Sequence, residues 1–227
     1  MPIALRILTF AIGLLWACSA SAMQPPYNYS DKTVAELLQL LENKDGTIRQ
    51  CAAIFLGERY RNPKAIVING PIHKPNSPPP ELPIPAQVVP RLAQHLSTDP
   101  DLSVRICAVF ALRDLRFHTN TVPVLVIGLD DKDVLIRIRT CTALIDISQD
   151  YSEPLAERVI PTLIQCLSPD GEVEDIWQAA YAAEQLGSAG GPLIPALERL
   201  KKHDSSKVRY YAERALSKIE HSEKGSH

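Results

Sequence analysis

The sequence lacks the short motifs that mark the common kinds of active site. It has no G-x-S-x-G turn, no Gly-rich phosphate-binding loop and no pair of Cys or His residues at zinc-ligand spacing. Its six histidines do not recur at equivalent positions of the repeated pattern described below. We therefore expect a protein that is not an enzyme and that binds no metal or cofactor.

The sequence also lacks blocks of like charge. Its 24 Lys and Arg residues are balanced by 26 Asp and Glu residues. A broad basic surface is therefore not expected, and we expect no nucleic-acid partner. With 45% apolar and 22% charged residues, the composition is that of a folded domain rather than a disordered chain.

What the sequence does contain is one pattern that is repeated along its length. An Asp or Ser is followed, three and four residues later, by an apolar residue and Arg, and then by small residues and Leu. Four copies begin at Asp45, Asp101, Asp133 and Ser205, with arginines at Arg49, Arg105, Arg137 and Arg209. A fifth copy, at Asp175, has Ala179 in the Arg position. Such repetition predicts stacked units rather than a globular enzyme fold.

A second pattern, apolar-Pro-x-Leu, precedes the first pattern in the four later units. It contains Pro90, Pro123, Pro161 and Pro195. Because Pro is tolerated in the first turn of a helix, each one predicts a helix start. The Asp then lies at the N-cap of a second helix. The predicted fold is all-α, a superhelix (solenoid) of about five helical hairpins over residues 31–219, with a polar tail at 220–227.

Taken together, these features resemble the HEAT repeat family, and in particular the short HEAT-like repeats also found in bilin lyase subunits. The resemblance covers about residues 31–219. It implies that the turn Asp and the Arg form a ladder between neighbouring units, in preference to a ligand-binding role. The implied ladder residues are Asp45, Arg49, Asp101, Arg105, Asp133, Arg137 and Arg209. Ala179 and the longer turn at 169–174 should interrupt this ladder in the fourth unit.

The N-terminus differs in composition from the rest of the chain. Residues 1–22 contain Arg6, an apolar run and an A-x-A site, which together predict a secretory signal peptide that is cleaved before Met23. The apolar run is too short for a membrane span, so we expect none after cleavage. An uncleaved anchor or a buried first helix is one alternative. A bacterial lipoprotein anchored through Cys18 is another, because Leu15-Trp16-Ala17-Cys18 resembles a lipobox.

Export raises the question of disulfide bonds among the other cysteines, Cys51, Cys107, Cys141 and Cys166. The first two occupy the same position in consecutive units, where stacked helices lie too far apart for a disulfide. We expect all four to be small buried residues, with a disulfide as the alternative.

Two regions are the best candidates for a functional site. One is the Pro-rich insertion at 62–87, which contains eight prolines and is either functional or a disordered spacer. The other is the face of the second helices opposite the core stripe. We expect a partner to contact Phe110, Arg113, Ile145 and Glu184 there, flanked by Pro71 to Pro85. The alternative is that neighbouring units bury this face.

The expected function is that of an exported, non-enzymatic scaffold that binds a protein or peptide through a concave face of its second helices. Two alternatives remain open. One is an accessory subunit that handles a tetrapyrrole, as the resemblance to bilin lyase subunits implies. The other is an envelope lipoprotein that holds other components together.

Overall fold

The computed structural model describes residue 29 and residues 31–61, 84–116, 120–148 and 155–224. The predicted signal peptide, Cys18 and most of the Pro-rich insertion lie outside these residues. Over the described residues the chain is all-helical, with no β-strand. The predicted fold class, an all-α helical-repeat solenoid, is confirmed.

The described residues form ten α-helices in five successive pairs. The pairs are α1 (Val34–Leu40) with α2 (Gly46–Arg61), α3 (Val88–Thr98) with α4 (Leu102–Asp114), α5 (Thr121–Ile127) with α6 (Val134–Ser148), α7 (Ala156–Cys166) with α8 (Val173–Gln185), and α9 (Ile194–Leu200) with α10 (Ser206–Lys224). Short 3₁₀ helices, Gly128–Asp130 and Gly187–Leu193, follow α5 and precede α9. We number the pairs as units one to five.

The second helices of the units pack against one another in order, α2 on α4, α4 on α6, α6 on α8 and α8 on α10. The core lies between these helices and the first helix of each unit. Small residues allow the close approach. At Gly57 of α2 an added Cβ would lie 2.7 Å from the Cα of Ala111 in α4, so only Gly fits this crossing.

The helix starts follow the predicted signals in most units. α2, α6 and α10 begin directly after Asp45, Asp133 and Ser205, and Asp101 is the N-cap of α4. The first helix of unit one starts with a capping box, in which Glu36 N–H donates to Thr33 Oγ1 (3.2 Å) and Thr33 N–H donates to Glu36 (2.8 Å). The Thr33 N–H, the Thr33 hydroxyl and Lys32 all donate to the Glu36 carboxylate, and these hydrogen bonds lower the pKa of Glu36 to about 2.

Unit four departs from the predicted boundaries. Pro161 does not mark the start of α7, because the helix begins five residues earlier, at Ala156. Because Pro161 has no N–H, the Glu157 carbonyl lacks its usual helical hydrogen bond. Both residues are exposed, so water can hydrogen-bond to this carbonyl instead. α8 likewise begins at Val173, inside the predicted turn and two residues before Asp175.

The C-terminal helix is longer than predicted. α10 continues to Lys224, past the predicted solenoid end at residue 219 and into the predicted polar tail. Its Ile219 is fully buried, while Glu220 and His221 are exposed. The polar residues thus extend a helix whose buried face has already ended.

All four described cysteines are buried free thiols. Burial raises the pKa of Cys107 to about 12 and raises the pKa of Cys141 as well. Thiols of this kind pack as small apolar groups and react slowly, since the thiolate is the reactive form.

We predict that truncation of a core Leu costs more in a middle unit than in the last one. Leu112 and Leu144 are fully buried, with neighbouring units on both sides, so replacement by Ala should cost roughly 2–5 kcal/mol of unfolding free energy. Leu216 is 5% exposed and has a neighbouring unit on one side only, so L216A should cost less. Urea denaturation of the three variants measures this order.

Ile127→Ala is the matched control for this prediction, because Ile127 is 53% exposed. Its unfolding free energy should change by less than about 0.5 kcal/mol. Equal losses in L112A, L144A and L216A would contradict a solenoid with a distinct end unit.

Candidate functional site

The turn between the two helices of a unit is closed in the same way four times. A side chain accepts a hydrogen bond from the backbone N–H two residues later, at 2.8–3.0 Å. The accepting side chains are Asn43, Asp99, Asp131 and His203, and the donors are the N–H groups of Asp45, Asp101, Asp133 and Ser205. Short polar side chains commonly form turns of this type with their own backbone.

The repeated Arg closes the same turn from the second helix. Each one donates through Nη1 to backbone carbonyls five or six residues earlier. The acceptors are Asn43 and Lys44 for Arg49, Asp99 for Arg105, Asp131 and Lys132 for Arg137, and His203 and Asp204 for Arg209. These carbonyls lack helical partners, so the Arg satisfies them. The common contact of the four arginines is therefore within a unit.

Arg49 in addition spans units one and two. Its Nε and Nη2 donate to the two carboxylate oxygens of Asp99, each at 2.8 Å, and Nη2 also donates to Asp101 at 2.6 Å. With the two turn carbonyls, all five N–H donors of this guanidinium are used. At Gly46 an added Cβ would lie 1.9 Å from Asp101 Oδ2, so Gly46 makes room for this contact.

Asp99 is the centre of this contact, and its side chain is only 2% exposed. Besides Arg49 it accepts from the Asp101 N–H (2.9 Å) and from His95 Nδ1 (2.9 Å). Burial raises the pKa of Asp99, but the hydrogen bonds from Arg49, Asp101 and His95 outweigh this effect, so the pKa lies below its usual value. Asp99 therefore stays ionised, and we call Arg49, His95, Asp99 and Asp101 the unit one–two cluster.

The equivalent contacts become weaker along the chain. Arg105 lies 3.5 Å from Asp131 and 3.8 Å from Asp133, and its Nε has no hydrogen-bond partner among the described residues. Arg137 has no ion pair within the described part of the chain, and it donates to its turn carbonyls. Asp133 and Asp45 use one oxygen each to cap their own helices.

Unit four replaces the missing Arg with a different contact to unit five. Lys207 of α10 lies 3.2 Å from Glu174 of α8. Its Nζ also lies 3.9 Å from the ring centroid of Trp177, which is within the range of a cation–π contact. Both residues of the ion pair are exposed, so this contact stabilises the fold less than the buried Arg49–Asp99 pair does.

Three of the four predicted partner-face residues lie at least partly on the surface of the second helices. Phe110 and Arg113 are half-buried on α4, with the Arg113 guanidinium 5.1 Å from the Phe110 ring centroid. Arg139 of α6 lies 6.0 Å from the same ring, and Arg113 lies 3.6 Å from Asp146 of α6. The structure thus places one aromatic ring between two guanidinium groups from neighbouring units.

Glu184 lies on α8 of unit four, two units along the row from Phe110 on α4 of unit two. It pairs with Arg214 of α10 at 2.7 Å and keeps Tyr181 as a neighbour on α8. Burial, followed by the carboxylates of Glu184 and Asp146, raises the pKa of Tyr181 to about 12. The phenol is therefore protonated at neutral pH.

Ile145 is not a surface residue. It is 4% exposed and belongs to the hydrophobic core, so the prediction that it contacts a partner is wrong in this structure. Its neighbour Asp146 faces solvent instead, with a side chain that is 45% exposed. Ile145 occupies the same repeat position as Arg113, but its apolar side chain is packed into the core, so the alternative that this face is buried holds at this position.

Sequence reasoning also missed residues of this site. Asp99 and Asp131 precede the repeated Asp by two residues, together with Asn43 and His203 at the equivalent positions. Their shared offset was a usable signal, because each can accept a hydrogen bond at that spacing. Arg139, Asp146 and Arg214 had no such signal, since they meet their partners only across units.

The described residues contain no group of three or more His, Cys, Asp or Glu side chains that could hold a metal ion. Within the same residues, no helix is both long enough and apolar enough to cross a lipid bilayer.

No protein-family model matches the chain. No curated protein matches its sequence either. Solved structures do share its fold.

A structure of the complex of CpcE and CpcF of phycocyanin lyase from Nostoc sp. PCC7120 is similar with a TM-score of 0.55 and 21% identity, over 88% of this chain and 70% of that one. An engineered protein is similar with a TM-score of 0.52 and 22% identity, over 83% of this chain and 80% of that one. Human deoxyhypusine hydroxylase gives a TM-score of 0.44 at 20% identity, over 84% and 75% of the two chains. The first two similarities show that the chain has a helical-repeat fold.

The expectation that the protein is not an enzyme is contradicted. The fold is shared with a phycocyanin lyase complex, so a helical-repeat architecture does not argue against an enzymatic role. The inference from repeats to a non-enzyme was too strong, because a fold alone does not determine function.

We predict that Asp99→Asn destabilises the protein and flattens its acid dependence. The substitution leaves the buried Arg49 with Asp101 as its only carboxylate, which should cost roughly 3 kcal/mol at pH 7. Because the pKa of Asp99 is lowered on folding, its stabilisation is present above the unfolded pKa, about 4, and is lost as pH falls through the folded value. Urea denaturation from pH 7 to pH 2 measures both effects.

Asp170→Asn is the control, since Asp170 is exposed in the turn before α8. It should match the wild-type protein at every pH. A D99N variant that loses stability below pH 4 as steeply as the wild type would show that Asp99 is not the titrating group.

Proposed function

We propose that the chain is a member of the HEAT repeat family and acts as a scaffold that binds a protein partner through its second helices. Two features support this. The second helices pack in order and form one continuous row, and stacked repeats of this kind commonly present extended binding surfaces. The likeness to a chain from a two-protein complex is consistent with a protein partner.

The observation that carries the proposal is the surface around Phe110, which we call the Phe110 face and define as Phe110, Arg113, Arg139 and Asp146. A half-buried aromatic ring between two guanidinium groups combines apolar area with hydrogen-bond donors. Aromatic and Arg side chains are the types most often found at the energetic centre of protein interfaces. A partner with an apolar side chain beside a carboxylate would fit this surface.

The proposal includes export from a bacterial cell, because residues 1–22 have the order of a signal peptide. A partner would then be met outside the cytoplasm. Lipidation at Cys18 would place the same scaffold on a membrane surface, and the two possibilities differ in the mass of the mature chain.

A role as an enzyme subunit is the second candidate, favoured by the likeness to the CpcE–CpcF complex of phycocyanin lyase. In that case the chain would act with a second protein and handle a tetrapyrrole. Mixing the purified protein with a free bilin and recording the visible spectrum tests this candidate. An unchanged bilin spectrum would count against it.

We predict that Phe110→Ala weakens partner binding while it changes stability little. Truncation of a central interface aromatic typically weakens binding by about tenfold or more. Affinity capture from an envelope extract, followed by mass spectrometry, would identify proteins retained by the wild type and lost with F110A. Thermal denaturation of each variant is measured in parallel.

Ile164→Ala is the matched control, because Ile164 is 40% exposed on the first helix α7. It should retain the partner. If F110A lowers the melting temperature and retains the partner, Phe110 serves packing and the Phe110 face is not the binding surface.

We also predict that the mature chain begins at Met23. The intact mass of the protein isolated from its natural host measures the processing site. A diacylated N-terminal Cys18 would favour the lipoprotein, and a chain that begins at Met1 in the cytosol would contradict export.

A further inference from the structure

Four aromatic side chains form a cluster on α8 and α10. The ring centroids of Trp177 and Tyr211 lie 4.9 Å apart, and Tyr211 lies 6.2 Å from Tyr181 and 5.3 Å from Tyr210. Tyr210 is 55% exposed, which is unusual for a large aromatic residue of a packed helix. We call these four residues the C-terminal aromatic cluster.

Two cations lie against the cluster. The Arg214 guanidinium is 5.5 Å from the Tyr210 ring centroid and 5.6 Å from that of Tyr211, and Lys207 lies over Trp177. Each cation is also held by a carboxylate, Glu184 or Glu174. The Trp177 side chain is largely buried, and its indole N–H has no acceptor among the described residues.

Neighbouring tilted rings, with Tyr210 exposed at the surface, have the chemistry that recognises proline-rich chain. Proline-rich segments favour the polyproline II helix, whose carbonyls are free to accept hydrogen bonds and whose rings pack between aromatic side chains. Such ligands lose little conformational entropy on binding. A cation at the rim adds recognition of a neighbouring carboxylate.

The chain itself contains a segment of this composition. Residues 71–85 read PIHKPNSPPPELPIP and include two P-x-x-P spacings, Pro75 to Pro78 and Pro80 to Pro83. In a polyproline II helix, which has three residues per turn, prolines at this spacing lie on one side. Glu81 lies within the second pair and carries the charge that Lys207 or Arg214 would meet.

The part of the segment that holds Glu81 and the second proline pair cannot reach the cluster of its own molecule. Ile84 packs against the core at the start of unit two, and Pro80 is only four residues before it, a reach of about 12 Å in polyproline II. The cluster lies on α8 and α10, two to three helix spacings beyond α4, or roughly 20–30 Å away. A second copy of the chain has no such limit.

We propose that the C-terminal aromatic cluster binds the Pro-rich segment, residues 71–85, of a second copy of this chain. Tyr210 and Tyr211 pack against the prolines, and Arg214 pairs with Glu81. The contact is heterologous, so it joins one end of a molecule to the insertion of the next. This contact uses none of the residues of the Phe110 face, so its test is independent of the test of the proposed function.

The first experiment titrates a synthetic peptide of residues 71–85 into the full-length protein and follows fluorescence anisotropy. The receptor carries Pro78, Pro79, Pro80 and Pro83 replaced by Ala, so that its own segment does not compete. We expect the peptide to bind, and Tyr210→Ala to weaken binding by about tenfold, the loss typical of an interface aromatic. Tyr210→Phe keeps the ring and should bind nearly as the parent does, and Ile127→Ala and F110A should bind unchanged.

The second experiment compares the wild type, Y210A and the proline variant by sedimentation velocity over a range of concentrations. All three share the same N-terminus, so a difference between them reports the cluster and the segment. We expect the wild type to associate as concentration rises and both variants to associate less. Equal peptide binding by Y210A, or no binding at all, overturns the proposal. Peptide binding with a wild type that stays monomeric overturns the second copy as the occupant and points to a proline-rich segment of another protein.

Discussion

The close approach of each second helix to the next is the constraint on which the rest of this structure depends. A helical hairpin cannot bury its own apolar stripe, so it needs a neighbouring hairpin. Small residues at the crossings allow the backbones to meet, as Gly57 does against Ala111. The buried Leu side chains fill the space behind these contacts, and the first helices cover them. A larger side chain at one crossing would push two whole units apart, not only two residues.

Much of the fold could be predicted because the same residue pattern recurs in several units. Asp or Ser before each second helix, small residues at fixed spacing and Leu behind them agreed on one register in units one, two, three and five. Unit four was predicted less well, because α8 begins at Val173 and α7 at Ala156, each earlier than its marker residue. There a single Pro or Asp carried the prediction, and neither residue forces a helix to begin.

The candidate site was harder to predict, since its contacts join units. The sequence shows which arginines share a position, but not that Arg49 uses all five donors while Arg137 has no carboxylate partner among the described residues. That difference depends on Asp99, a buried carboxylate in the turn of the next unit, and on the space above Gly46. Ile145 shows the same limit, because it occupies the repeat position of the partly exposed Arg113 and yet is buried in the core. The repeat register shows that two residues are equivalent, but not how far neighbouring units bury each of them.

The closure of each turn within its own unit has a consequence for how such a chain can change in evolution. Asn43, Asp131 and His203 accept from the backbone two residues on, and the Arg of the same unit binds the adjacent carbonyls. A hairpin therefore carries its own bend with it when it is duplicated or lost. Only the junction between two hairpins must then be matched again, and among the described residues the Arg49–Asp99 junction has the most specific contacts. The chain can thus gain or lose whole hairpins at its C-terminal half more readily than between its first two units.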